Sequence, residues 1–486
     1  MVDASAPDVR KDHGAAGSTC SRDSHRGARS AFLSDEDDMP EQTIDPERRP
    51  STGPDPDGVA KASPRKVLVA AGAGHFVEWF DLGIYGTLST IIAANFFADG
   101  DETAALLSTF AVFAAGFVVR PLGGLFFGPL ADRIGRKRVL AIIVLVTSLT
   151  TFGMGVLPTY ATIGAAAPLL LVALRLIQGF AAGGETSSAV SMLFEYAPRN
   201  RRGYYTSWSA AIGFLAFVVG SGLALALTAG LGDATMSSWG WRVPFLLALP
   251  LGMTGLYLRL KMEDTPEFRA MKESGDISDS PTRETFRTAR VAMLVLAGIM
   301  VIKGVGHWML QTFMVSYLQN TMDFSKVHSF LAATVCLAVV AVLVPFMGLL
   351  SDKIGRRPLL IGGTAGMLVL AWPALQLMAL HNTAFAILGM VLLGLPLAAY
   401  DGAINAVMAE LFPPRIRSGA IAIPYNMSVT LFGGTAPYVA TWLIGATGND
   451  FSPAFYLMLA AAVTLITVLR WVKETSGPKA DITVEG

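Results

Sequence analysis

Charge and cysteine are both scarce in this chain of 486 residues: Asp, Glu, Lys and Arg make up 15%, and Cys20 and Cys336 are the only thiols. Cys20 sits in a polar stretch and Cys336 in an apolar run, so neither a disulfide framework nor a thiolate metal site is expected. The six histidines are scattered, with no metal-ligand cluster, nucleophile motif or phosphate-binding loop around them. That argues against an enzyme and against any metal or cofactor. Basic residues form only short clusters between apolar runs, which is too little for a nucleic-acid surface. The N-terminus is polar, and the first apolar run, from Val67, is too long for a signal-peptide core, so no cleavable leader is expected.

What is abundant is apolar sequence: 52% of residues are hydrophobic and the mean hydropathy is +0.50. Segments of about 20 or more apolar residues, the length that spans a bilayer, recur twelve times. They cover 67–96, 104–130, 138–157, 165–196, 203–230, 242–262, 290–319, 327–350, 358–380, 384–411, 418–446 and 454–473. The expected domains are a disordered tail over 1–63, a first six-helix bundle over 64–262, a polar linker over 263–289, a second bundle over 290–473 and a short tail over 474–486. Residues 1–63 are rich in Pro, Asp, Ser, Arg and Gly and have too little apolar surface to offset ordering entropy. Nineteen Lys and Arg fall in loops on the tail's side of the bilayer, against only Arg242 and Lys326 on the other. The positive-inside rule then puts both termini in the cytoplasm of a multi-pass protein of the plasma (inner) membrane. Trp239 and Trp241, beside Arg242, are expected as interfacial anchors.

The chain also repeats itself. Gly128-Pro-Leu-Ala-Asp132-Arg133-Ile-Gly135-Arg136-Lys137 recurs 220 residues later as Gly348-Leu-Leu-Ser-Asp352-Lys353-Ile-Gly355-Arg356-Arg357. Glu195-Tyr-Ala-Pro198 with Arg202 recurs 215 residues on as Glu410-Leu-Phe-Pro413 with Arg417. Paired membrane halves of this kind are how many secondary transporters are built. The Asp residues are suited to pair with nearby Arg or to cap a helix N-terminus. Glu195, Arg202, Glu410 and Arg417 read either as ordinary helix-ending chemistry or as a charge network tied to those loops.

Seven formal charges lie inside apolar segments: Glu78, Asp81, Arg120, Arg175, Glu185, Lys303 and Asp401. Facing lipid, each would cost about 3 kcal/mol on insertion scales, so they must pair, neutralise or line a wet cavity. All but Arg120 lie in helices 1, 4, 7 and 10, equivalent members of the repeat, and the expectation is one central polar cavity. His75, Glu78, Asp81 and Tyr85 are placed on a single face of helix 1. Two carboxylates on adjacent turns resist being ionised together, which suits proton coupling; a buried salt bridge to Arg120 or Arg175 is the alternative. Arg175, Gln178 and Glu185 share a stripe of helix 4, and the Arg175 fork suits a carboxylate of a substrate or of helix 1. Helix 7 sets Lys303, His307 and Gln311 at steps of four, and helix 10 carries Asp401 and Asn405. Lys303 with Asp401 reads equally as an interhelical ion pair or as substrate contacts.

Together these residues resemble the metabolite:H⁺ symporters of the major facilitator superfamily. The specific marks are Gly74-His-Phe-Val-Glu-Trp-Phe-Asp-Leu-Gly-Ile-Tyr85, Arg120-Pro-Leu-Gly-Gly124, Arg175-Leu-Ile-Gln-Gly-Phe-Ala-Ala-Gly-Gly-Glu185, Trp239-Gly-Trp-Arg-Val-Pro-Phe245 and Tyr425-Asn-Met-Ser-Val-Thr-Leu-Phe-Gly-Gly434. The resemblance covers roughly residues 66–473. It implies an all-α membrane protein of twelve transmembrane helices in two pseudo-symmetric six-helix bundles. It also implies proton-driven import of a small organic solute by alternating access, with Glu78, Asp81, Arg120 and Arg175 as the functional ionisable groups. Helix 7, through Trp308-Met-Leu-Gln-Thr-Phe-Met-Val-Ser-Tyr317, looks most like the proline/betaine type, whereas Lys303 and His307 suit a mono- or dicarboxylate. The long C-terminal coiled coil of osmosensing members has no counterpart in this sequence. A sugar porter or drug/H⁺ antiporter is the nearest alternative. Glu263-Asp-Thr-Pro departs from the sugar-porter motif after helix 6, and Phe214-Leu-Ala-Phe-Val-Val-Gly-Ser-Gly222 departs from the antiporter motif of helix 5. A non-concentrative channel or receptor is the more distant alternative.

Overall fold

The computed structural model describes residues 64–97, 100–134, 136–261, 290–412 and 417–475. The expected tail over 1–63, the linker over 263–289 and all but two residues of the C-terminal tail lie outside the described residues, as does Cys20. Twelve helical rods account for nearly all the rest. We label them α1 (Pro64–Thr87, resuming as Ser89–Phe96), α2 (Glu102–Val118 and Arg120–Ile134), α3 (Arg136–Val156), α4 (Ala166–Ala181 and Glu185–Tyr196), α5 (Arg202–Leu231) and α6 (Arg242–Lys261). The second set is α7 (Arg290–Trp308, running on to Asn320), α8 (Lys326–Ile354), α9 (Arg356–Met378), α10 (Thr383–Glu410), α11 (Arg417–Ser428, running on to Thr447) and α12 (Ser452–Trp471). Among the described residues, nine helices are long and apolar enough to cross a membrane, and Ala166–Ala181 and Arg242–Tyr257 are shorter apolar helices.

Several rods begin a residue or two before the apolar run because polar caps draw the backbone into helix early. Asp101 accepts hydrogen bonds from the Thr103 and Ala104 amides, Asn382 from Ala384 and Ser325 from His328. Outward faces are apolar: Leu294 is 74% and Leu169 69% exposed, acceptable only with lipid as the solvent. Trp239 is exposed on that surface, but Trp241 is not an interfacial anchor. It is buried, with Phe96 edge-on at 5.6 Å and Phe245 at 5.9 Å. The helix entered through the π turn Met236–Gly240 points the two indoles opposite ways, which adjacency in sequence does not reveal.

Within the first six helices, α1 packs on α5 and α6, α3 on α6, and α2 on α4. The α2–α4 crossing is so close that a Cβ on Gly179 would collide with the Gly116 carbonyl. In the second six, α9 packs on α10 and α12, α8 on α10, and α7 on α11 and α12. The two sets meet through α5 with α8 and α2 with α11. Shifting by six helices turns the first pair into the second, so the interface carries the same two-fold relation as the duplicated motifs.

Candidate functional site

Among the described residues, the ionisable side chains inside the membrane gather in two clusters, not one. The first lies among α1, α2, α3 and α4. Glu78 pairs with Arg120 at 3.7 Å, and Arg120 stacks over Phe117 at 4.4 Å. Arg175 stacks over Tyr85 at 3.9 Å and over Phe113 at 5.1 Å, and donates one bond to Gln178. Gln178 in turn donates to Thr151 at 2.7 Å, and Tyr85 donates to the Thr109 carbonyl at 3.1 Å. Two groups are left over: Nε and Nη2 of Arg175 have no hydrogen-bond partner among the described residues, and neither oxygen of Asp81 has one. Both residues are 2% exposed. An unused guanidinium fork and an unused carboxylate thus line one crevice, whose free space holds about one water molecule.

The second cluster lies among α7, α10, α5 and the start of α1. Lys303 Nζ pairs with Asp401 Oδ1, and His307 Nδ1 stands 3.4 Å from Oδ2. Asn405 donates to the Thr206 carbonyl of α5 at 3.2 Å. His75 shares a 3.3 Å hydrogen bond with Ser209, also on α5. Lys303, His307, Asn405, His75 and Ser209, with Trp79 and Tyr425, line a second narrow crevice.

Two expectations from spacing need correction. His75 does not share the face of Glu78, Asp81 and Tyr85. Successive steps of three fall short of a full turn, so His75 and Asp81 diverge around the helix, and His75 reaches α5. Gln311 does not continue the Lys303–His307 stripe into either crevice. It falls in the π turn Met309–Phe313, where the wider turn rotates the helix face, and its amide is buried without a partner among the described residues. The expected single cavity is also divided by a layer of aromatic rings. Trp308 stacks on Trp79 (5.6 Å, 7°) and receives Phe113, Phe117 and Phe217 at 5.3, 5.0 and 6.1 Å, each steeply inclined to it. The available signal was Phe113 and Phe117 four apart on α2, with Trp79 directly beside Glu78.

At the end carrying the basic loops, Asp352 joins the halves. Its two oxygens accept from the Gly203 and Tyr204 amides, the first turn of α5, at 2.8 and 2.9 Å. Arg356 donates to Asp352 at 2.7 Å and to Glu410 at 3.3 Å, while Lys353 is exposed. Arg202 stacks over Phe194 at 4.2 Å, and Glu195 is partly buried at the end of α4. The side chains of Asp132, Arg133, Arg136, Glu185 and Arg417 lie outside the described residues. At the opposite end, Thr90 donates to Gln319 at 2.7 Å and Lys326 to Ser237 at 2.7 Å, again across the halves. Among the described residues, the two halves are thus bonded to each other at both ends.

A family model described as sugar (and other) transporter matches this chain twice, over residues 66–280 and 269–481. The chain is 37% identical over 421 residues to the glycine betaine/proline/ectoine/pipecolic acid transporter OusA of Dickeya dadantii (strain 3937), covering 85% of this chain and 84% of that protein. It is also 37% identical over 422 residues to the proline/betaine transporter of Escherichia coli (strain K12), with coverage of 85% and 84%. A putative proline/betaine transporter of Staphylococcus haemolyticus (strain JCSC1435) is 34% identical over 421 residues, covering 85% of this chain and 88% of that protein. Among solved structures, the major facilitator proton:xylose symporter XylE bound to 6-bromo-6-deoxy-D-glucose matches with a TM-score of 0.66 and 18% identity, over 85% of this chain and 96% of that one. A crystal structure of a D-xylose-proton symporter gives 0.67 and 19%, over 85% and 98%. At such identities these two structures speak for the fold alone.

Proposed function

We propose a cargo and a driving ion for a chain that belongs to the sugar (and other) transporter family of the major facilitator superfamily: it imports a small zwitterion of the proline/betaine kind together with a proton. The observation that carries this reading is the unused Arg175 fork beside the unused Asp81 carboxylate, both buried. A guanidinium with two idle donors in low dielectric is a built receptor for a carboxylate. Similarity to transporters named for proline and betaine supplies the cargo class.

Coupling follows from charge. Glu78 and Asp81 against Arg120 and Arg175 make a balanced set when all four are ionised. A zwitterionic cargo brings no net charge, but its carboxylate seated on Arg175 takes up that guanidinium and leaves Asp81 a buried carboxylate without a counter-ion, which costs several kcal/mol. Asp81, whose oxygens have no hydrogen-bond partner among the described residues, is the group that takes the compensating proton, while Glu78 keeps its pair with Arg120. Release of the cargo restores the balance and expels the proton. Lys303 and Asp401 neutralise each other within the second half and hold α7 to α10 through the cycle. The Asp352 contact to α5 closes the proposed cytoplasmic end, and its breaking opens that side. In this reading both termini are cytoplasmic and the membrane is the inner (plasma) membrane.

The test is uptake into proteoliposomes. With an inwardly directed pH gradient, wild type should concentrate labelled proline or glycine betaine. Asp81→Asn should lose that accumulation yet keep exchange of labelled for unlabelled cargo at equal concentrations, since exchange needs no net proton movement. Retained gradient-driven accumulation in Asp81→Asn would sink the assignment.

A further inference from the structure

The aromatic layer between the two polar clusters is built of Trp and Phe rings, which carry no titratable group, and its construction is specific. Rings from α1 (Trp79), α2 (Phe113, Phe117), α5 (Phe217) and α7 (Trp308) converge, with Trp308 as the hub. The seat is cut to fit them. On α11, a Cβ at Gly433 would press on the Trp308 indole at 2.6 Å, and one at Gly434 on Phe117 at 2.7 Å. Both glycines belong to a π turn, Val429–Gly434, and Trp308 directly precedes another, Met309–Phe313. Paired π turns facing one ring cluster mark a place where helices are shaped around a ligand.

We propose that this layer is the subsite for the cationic end of the cargo and that it favours a fully methylated ammonium. The proposal rests on the zwitterion reading above and extends it. Phe113 lies 5.1 Å from the Arg175 guanidinium and 5.3 Å from Trp308. The carboxylate receptor and the ring hub are therefore one ring apart, the scale of a molecule whose charges are separated by one or two carbons. The nearby carboxylates are committed: Glu78 to Arg120, Asp401 to Lys303 and Asp81 to the coupled proton. A quaternary ammonium has no N–H to donate and needs none of them. It is stabilised by the negative faces of Trp and Phe rings. Trp79 and Trp308 belong to opposite halves and stack on each other here, so the layer is self-closed in this state. Cargo entry parts them, and closure of the halves lays the rings on the cation. This links occupancy of the subsite to the conformational cycle.

The experiment uses the full chain in nanodiscs and measures displacement of labelled proline by two probes of nearly the same shape. Glycine betaine carries a trimethylammonium group, whereas 3,3-dimethylbutanoate carries a neutral tert-butyl group in its place. Wild type should favour betaine at least tenfold. In Trp308→Leu that preference should fall below threefold, with affinity for the neutral probe little changed. Protein grown with fluorinated tryptophans, whose ring faces are less negative but nearly the same size, should lose betaine affinity in step with fluorine number, so the test does not depend on one variant folding. Betaine preference that survives both changes overturns the subsite while leaving zwitterion transport standing. A wild type that binds neither proline nor betaine overturns both readings.

Discussion

Asp352→Asn is the most direct test of how the halves are held together. Only part of the Asp352 environment changes between closed and open states. Its bond to Arg356, 2.7 Å and four residues on, lies within the second half and persists. The bonds to the Gly203 and Tyr204 amides, at 2.8 and 2.9 Å, cross to α5 and must break on opening. Asparagine has the same shape but offers one acceptor, so its NH₂ would face a backbone N–H. One charge-assisted bond is lost, the other weakened, and the favourable placement of negative charge at the α5 N-terminus removed. At about 1.5–3 kcal/mol for a hydrogen bond to a charged group, with a smaller dipole contribution, the closed state is weakened by roughly 3 kcal/mol. That is on the order of 150-fold in the open/closed ratio, so an open state populated at about 1% would rise to about 60%. Spin labels at Arg201→Cys and Ile354→Cys, both at exposed positions, report the separation of α5 and α8 by pulsed dipolar spectroscopy. A longer-distance population should appear in Asp352→Asn, and because cargo enters by parting the closed layer, apparent cargo affinity should rise and not fall. An unchanged distance distribution, or a large loss of binding with normal cycling, would refute the reasoning.

Other consequences are checked as directly. Arg175→Lys keeps the charge but loses the fork, so cargo affinity measured by equilibrium binding should fall roughly ten- to a hundredfold, on the scale of one lost charged hydrogen bond; an unchanged affinity would place the cargo carboxylate elsewhere. Trp241→Ala should destabilise the protein by about 3–5 kcal/mol, as aromatic core truncations do, read as a lower thermal unfolding temperature in detergent, while Trp239→Ala, on the lipid-facing surface, should be nearly silent; equal effects would contradict the opposed burial of the two indoles. Thiol-specific labelling of intact cells should reach Asp233→Cys but not Lys353→Cys, and labelling of both from one side would refute the proposed topology.

That this is an all-helical membrane protein built from two related halves can be read from the chain before any fold is known, because bilayer length, basic-loop asymmetry and a duplicated motif are all local or periodic signals. The costly groups are legible there too. Charges such as Glu78, Arg120, Arg175, Lys303 and Asp401 are rare enough within apolar runs that each stands out before any fold is known. Tertiary structure alone decided how they sort. Helical spacing put His75 with Asp81, but small angular errors accumulate over two turns, and the packing of α5 against α1 drew His75 to Ser209. A local π turn, invisible to a fixed period, carried Gln311 off its stripe. The aromatic layer was unreadable for a different reason: Trp79, Phe113, Phe117, Phe217 and Trp308 look like ordinary apolar residues in four separate stretches of sequence, and only the convergence of four helices over two glycines of α11 makes them one surface. Asp352 belongs with them. Its motif named the carboxylate, but the partner is a pair of backbone amides in the other half, and a backbone amide carries no mark in the sequence.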